Sequence, residues 1–298
     1  MSVVEEDHAR DVAGQVPAAG GAEQIEAELI RVAGLTERQV ARAREIQKRQ
    51  GISFLEAAIA TRAISRASLM SALSKQFSYP IIHAESGSAV FSRELVAGHE
   101  PFGPAAEELR SIRSSLVSAA VSKGVRAFAM MGSRPGMGST YFAGNLAIAF
   151  AQMSVATLLV DANLRDPRIA EMFGAERKRE GLSETLLHGK IDQPPIINDV
   201  LPGLSVLTSG AIPPNPQELL CSEEFVALTA NFNRDFGIVI YDTPSALEYA
   251  DAYVVASRIG AAVIVARKNS ARFKDVAAMT HKLRAMDCNI VGSVFNQG

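Results

Sequence analysis

The sequence predicts an α/β protein: a parallel sheet covered by helices on both faces, preceded by a small helical domain. Three observations carry this. Six apolar runs of strand length recur at Val125–Met131, Ala156–Val160, Leu204–Leu207, Ile238–Tyr241, Ala262–Ala266 and Ile290–Phe295. Amphipathic stretches such as Phe142–Met153 and Lys274–Met286 lie between them. Continuous apolar strands alternating with helices are buried on both faces, which is the mark of a parallel sheet. Ahead of these runs, residues 23–83 read as helix.

In chain order, residues 1–22 are rich in Ala, Gly and charge, without sustained periodicity, and read as a disordered tail. Residues 23–83 form the helical module. Thr36, Glu37, Arg38 and Gln39 read as a capping box, with a hydroxyl and an amide satisfying orphan N–H groups. Leu35, Thr36, Val40 and Ala43 recur at the same spacing as Ile64, Ser65, Leu69 and Ala72. Such a repeat implies short helices burying their faces against one another. Residues 84–103 mix Gly, Ser and Pro and read as a linker. Residues 104–298 form the α/β domain, opening with a helix from Pro104 to about Ser122.

Composition sets limits on function. The 298 residues are 48% hydrophobic, enough for an α/β core and a smaller module. A net charge of -2 gives no bulk attraction to nucleic acid or anionic lipid. Cys221 and Cys288 have no metal-ligand or CxxC spacing and read as free core thiols of a reducing compartment. No apolar run reaches the length of a membrane span, so membrane attachment is expected through a partner.

The first strand runs into Gly132-Ser133-Arg134-Pro135-Gly136-Met137-Gly138-Ser139-Thr140, followed by helix. A glycine-rich turn between strand and helix lets backbone N–H groups curl around phosphate oxygens, helped by the positive end of the helix dipole. Gly132, Arg134, Pro135, Gly136, Met137, Gly138, Ser139 and Thr140, with Tyr141 on the first helical turn, are therefore the candidate nucleotide-binding set. Thr140 stands where a hydroxyl ligates Mg²⁺. The lysine that a P-loop places before its Ser/Thr is replaced by Ser139, which is neutral and too short to reach the β- and γ-phosphates. Arg134 is the one basic residue of the loop and the candidate substitute.

Two apolar runs end in acids: Asp161, within Asp161-Ala162-Asn163-Leu164-Arg165, and Asp242, within Asp242-Thr243-Pro244. Ligands of open α/β sheets sit at the carboxyl ends of strands, so both acids are expected beside the phosphate loop. There, one would hold Mg²⁺ and the other would polarise an attacking hydroxyl. The competing structural roles are a helix cap for Asp161 and a turn residue for Asp242.

These motifs resemble those of the bacterial tyrosine kinases of capsule and exopolysaccharide synthesis (BY-kinases), which share the deviant-Walker P-loop fold of the ParA/MinD ATPases. The resemblance runs from about Pro101 to the end. The family's DxDxR motif matches as Asp161, Asn163 and Arg165, with Asn163 in place of the second acid. Its Walker B motif matches at Asp242-Thr243-Pro244, and Pro213–Leu220 resembles its PPNPxELL segment. Asn296 ends the last strand, where related ATPases contact adenine. Glu107, Arg110 and Arg113 form the ExxRxxR pattern of a helix face that, in the family, docks on a neighbouring subunit; by spacing alone such residues more often form an intrahelical ion pair on a solvated face.

The helical module points to the chain-length-determinant (EpsG-like) branch and is similar to the N-terminal domain of type II secretion and pilus ATPases. Some such domains bind cyclic di-GMP. Leu69, Leu73 and Gln76 match the end of that motif, but Leu55 and Arg62 stand where its glycines belong, which counts against this ligand and favours protein docking.

The resemblance implies ATP and Mg²⁺ as cofactors and a tyrosine-kinase-like role in exopolysaccharide chain-length control. It also implies a membrane chain-length determinant (Wzz-like) as partner, a homo-oligomer, and a cytoplasmic protein recruited to the inner membrane. A pseudokinase, or nucleotide-responsive assembly subunit of the export machinery, is the alternative that Ser139 and Asn163 raise. A ParA/MinD-type ATPase is a third, and expects lysines this loop lacks. With no tyrosine cluster after the last strand, the phosphorylated target is expected elsewhere.

Overall fold

The computed structural model describes residues 30–31, 34–51, 54–64, 80–82, 91–175 and 180–297. The chain divides into two compact units, Met1–Tyr79 and Pro80–Gly298. The tail 1–22, and Ser65, Leu69 and Ala72 of the repeat, lie outside the described residues, as do Leu73 and Gln76.

In the first unit, helix α1 (Glu37–Gln50) begins with the expected capping box. The Thr36 hydroxyl accepts from the Gln39 N–H, and the Gln39 side chain accepts from the Thr36 N–H at 2.9 Å. Helix α2 (Phe54–Ala60) follows. Ala43, Phe54, Ala57, Ala58 and Ile64 form a small core, with Leu35, Val40 and Ile46 against it. Arg62 takes a φ of +54°, the backbone state that a glycine would hold there at lower cost.

The second unit opens with helices α3 (Val96–His99) and α4 (Pro104–Ala119) and is built on a seven-stranded sheet. The strands are β1 (Ala127–Gly132), β2 (Thr157–Asp161), β3 (Ile197–Leu201), β4 (Leu204–Leu207), β5 (Ile238–Asp242), β6 (Ala261–Arg267) and β7 (Asn289–Asn296). Their order is β3-β4-β2-β5-β1-β6-β7, all parallel except the β3–β4 pair. The intervening helices are α5 (Ser139–Ala151), α6 (Ile169–Met172), α7 (Leu182–His188), α8 (Pro216–Cys221), α9 (Glu223–Asp235), α10 (Asp251–Ile259) and α11 (Phe273–Ala285). Alternate strand residues feed two cores. Phe128, Met130, Leu159 and Ile240 pack toward α5, while Ala129, Met131, Val160 and Tyr241 pack toward α9 and α10.

The structure corrects three expectations. Strand β3 was not anticipated, because its sequence is a polar edge with Asn198 and Asp199 exposed and Asp199 at a φ of +48°. The stretch read as a linker, 84–103, has buried residues on α3 and at Leu95, Pro101 and Gly103, between exposed ones such as Arg93 and Phe102. Leu95 is fully buried, and buried Asn145 on α5 accepts from the Ala97 N–H at 2.9 Å and donates to the Glu94 carbonyl at 2.8 Å. Gly98 there serves close packing rather than freedom, since a Cβ on it would meet Ile82 at 2.6 Å. Finally, Cys288 is buried but Cys221, at the end of α8, is exposed.

Candidate functional site

The middle of the sheet presents its carboxyl ends to a cleft of about 850 Å³, within the size range of ligand pockets. The loop after β1 forms one wall. Gly136 and Gly138 take φ values of +77° and +98°, in the left-handed region where side chains are strained. A Cβ on Gly138 would also meet the Asn296 amide at 2.7 Å, so Asn296 closes directly on the loop. The turn is braced from below, where Ala246 and Leu247 donate backbone bonds to the Gly132 and Ser133 carbonyls at 2.9 and 3.1 Å. Helix α5 starts at Ser139, with no side chain capping its first turn. Its leading N–H groups therefore face the cleft side of the loop with the helix dipole behind them.

Parallel pairing sets Asp161 directly beside Asp242 at the ends of β2 and β5. Both are fully buried. The Thr140 hydroxyl donates to Asp242 Oδ2 at 2.7 Å, while Asp242 Oδ1 is buried without a hydrogen-bond partner. Burial pushes the Asp242 carboxyl up to about 7, against the opposing pull of the Thr140 hydroxyl, the Thr243 N–H and the Arg168 charge. Asp161 is also held well above the usual carboxylate range, first by burial and then by the Asp242 charge. Its own oxygens accept from the Asn163 and Ile169 N–H groups at 3.3 and 3.1 Å, so it does hold the turn into α6 while facing Asp242. A buried acid pair with one orphaned oxygen and an adjacent hydroxyl fits a divalent cation, and the uncapped glycine turn fits a phosphate.

The remaining candidates divide. Asn163 lines the cleft, but its amide is bonded to the backbone of Asp166 in both directions, at 2.8 and 3.1 Å, which holds the turn. Arg165 grips buried Asp251 through two bonds of 2.7 and 3.0 Å and lies 4.2 Å from the Tyr249 ring centroid. Arg134 points to Asp275 at the start of α11, 2.8 Å away. Tyr141, of the candidate nucleotide-binding set, lines the cleft half-buried, with its ring edge-on to Phe142. Tyr241, on β5, is fully buried. Arg110 pairs with Glu107 and with the Pro101 carbonyl, and Arg113 donates to the Ala149 carbonyl at 2.7 Å, near the end of α5. All three are thus engaged within the chain.

Sequence reading passed over Arg168, which pairs with Glu94 at 3.2 Å, and Arg267, whose guanidinium lies 3.4 Å from the Gly136 carbonyl. Both line the cleft, as does Tyr249. Arg267 ends an apolar strand, and the same strand-end rule that marked the two acids would have marked it.

A glycine phosphate turn, an uncapped helix and two strand-end acids on a mainly parallel sheet define a P-loop nucleoside triphosphatase fold. The solved kinase domain of Escherichia coli ETK superposes with a TM-score of 0.65 at 29% identity, over 75% of this chain and 85% of that one. The cell division ATPase MinD of Pyrococcus furiosus shares the fold alone, at 19% identity and a TM-score of 0.51. No family model matches the chain. The tyrosine-protein kinase YwqD of Bacillus subtilis is 31% identical over 204 residues, 68% of this chain and 86% of YwqD. The chain belongs to the bacterial tyrosine-protein kinase family. It spans about a quarter of the length of longer relatives such as EpsB of Ralstonia solanacearum, which is 31% identical over 202 residues, 27% of its length.

Proposed function

We propose that this chain binds ATP with Mg²⁺ in the cleft and acts in exopolysaccharide chain-length control as a nucleotide-responsive kinase-family protein. The observation that carries this is the Thr140–Asp242–Asp161 constellation, with its orphaned Asp242 oxygen, under a glycine turn at the head of α5. No cluster of three His, Cys, Asp or Glu side chains suited to a metal occurs among the described residues. Two carboxylates, the Thr140 hydroxyl and ligand phosphate oxygens make up the ligand set that Mg²⁺ favours. A bound Mg²⁺ would offset charge on the phosphates. Gly136, Gly138 and the first turn of α5 would grip them, and Asn296 and Tyr141 would border the base. MinD of Pyrococcus horikoshii, which shares the fold, is solved in complex with Mg-ADP.

Phosphoryl transfer to tyrosine is the activity family membership suggests. A pseudokinase role is favoured by specific observations. Ser139 brings no charge, and Arg134 and Arg165 are paired with Asp275 and Asp251. In either role the chain assembles with copies of itself through the Glu107–Arg113 face. A membrane chain-length determinant recruits it from the cytoplasm to the inner membrane.

Titration of the full chain with ATP, in Mg²⁺ and in EDTA, tests the binding. Asp242→Ala should remove the Mg²⁺-dependent part of the affinity, by at least about tenfold. Equal ATP affinity in both buffers, or none in either, would sink the reading. Turnover measured in the same preparation, with and without the partner's cytoplasmic segment, separates kinase from pseudokinase.

A further inference from the structure

We propose that the loop from Arg267 to Lys274, between β6 and α11, docks on an anionic lipid surface. Phe273 is 89% exposed, the most exposed large apolar side chain among the described residues. Arg267, Lys268, Arg272 and Lys274 surround it in sequence and are all exposed. None of these four cations is in a salt bridge among the described residues. Asp275, the acid that follows, is buried and neutralised by Arg134. The loop turns sharply at Asn269, which has a φ of +61°. The β6–β7 register sets Phe295, 63% exposed, opposite Ala266 at the root of the loop.

An aromatic ring left in water beside exposed cations that form no salt bridge among the described residues suits the membrane interface, where the ring enters the acyl boundary and the cations meet headgroup phosphates. An acidic protein segment would satisfy the cations, but at 89% exposure Phe273 has no pocket wall of its own chain around it to shape a protein contact. A deformable lipid surface needs none. The net charge of -2 is no obstacle, because screening at physiological salt limits each charge to about 8 Å and the patch acts locally. Among the described residues no helix is long and apolar enough to cross a membrane, so this contact would be peripheral.

Sedimentation of the full chain with phosphatidylcholine vesicles, with and without one third phosphatidylglycerol, tests this in the absence of nucleotide. Its outcome is therefore independent of the ATP-binding reading. The chain should bind the anionic vesicles, not the neutral ones, and release as salt rises. Each cation removed should weaken binding about fivefold, and Phe273→Ala about tenfold. A Lys268→Glu, Arg272→Glu, Lys274→Glu variant should not sediment. These side chains are exposed, so circular dichroism should be unchanged. If the charge-reversed variant unfolds, Phe273→Ala and the salt series on the unaltered chain still decide. Failure to bind anionic vesicles, or equal binding by Phe273→Ala and the charge variant, would overturn the proposal. So would capture of a polyglutamate peptide by the patch without vesicle binding.

Discussion

Asp161 and Asp242, at the ends of β2 and β5 behind the cleft-lining Thr140 and Thr243, are fully buried and form no ion pair among the described residues. The arginines on its rim are partly exposed, and three hold an acid: Arg134 with Asp275, Arg165 with Asp251, and Arg168 with Glu94. Two acids are gathered behind the cleft with one carboxylate oxygen unpartnered, while positive charge is drawn off to the sides. In a P-loop the lysine would bring positive charge to the centre. Here Ser139 leaves that task to backbone N–H groups, the α5 dipole and whatever cation the acids hold.

The acid pair should dominate any perturbation of this arrangement. Burial holds Asp242 at about 7, far above the ordinary aspartate value of 3.8. The folded chain therefore binds more protons than the unfolded one across that window, and this group's contribution to stability is lost as pH rises through it. Asp242→Asn cannot ionise. It should leave stability nearly unchanged at pH 4 and raise it at pH 8, by up to the order of 4 kcal/mol. Denaturant curves for the two chains check this at both pH values; coincident curves at pH 8 would show that Asp242 carries no buried charge cost.

Next in size is Arg165→Ala, which strips the bidentate partner from a fully buried carboxylate and should cost about 3 kcal/mol. ATP affinity in the variant that remains folded should change little. A large affinity loss with intact stability would move Arg165 from scaffold to ligand site. Ser139→Lys restores central positive charge and should raise turnover about tenfold if its absence alone limits transfer. No gain would locate the limit at Asn163, whose amide is committed to Asp166. The smallest effect is expected on the rim. Arg134→Ala should alter ATP affinity by less than about threefold, because the side chain is half exposed and turned to α11. A larger loss in titration would mean that the Asp275 pair opens to let Arg134 reach the phosphate.

Local pattern made part of this legible. Gly136 and Gly138 are read from sequence because a positive φ is a property of one residue. Asp161 and Asp242 are read from the apolar runs they end, since a buried parallel strand can be recognised by its own composition. The Thr36–Gln39 box is likewise complete within one turn. By contrast, the segment 91–103 looked like linker because its Gly and Pro are scored alone. Its packing on α5 depends on Asn145, about fifty residues away. Strand β3 failed for a similar reason, as a polar edge becomes a strand only when β4 offers it hydrogen bonds.

Sequence by itself thus determined the alternation of strands and helices, the phosphate turn, the missing lysine and the two strand-end acids, because each is encoded in a short contiguous pattern. Only the tertiary structure decided that the acids stand side by side, that Arg134 and Arg165 are engaged by Asp275 and Asp251, and that Phe273 stands in solvent among cations. Those outcomes depend on strand order and side-chain direction. A charged group takes whichever partner the fold brings within about 4 Å, and sequence separation says nothing about that distance.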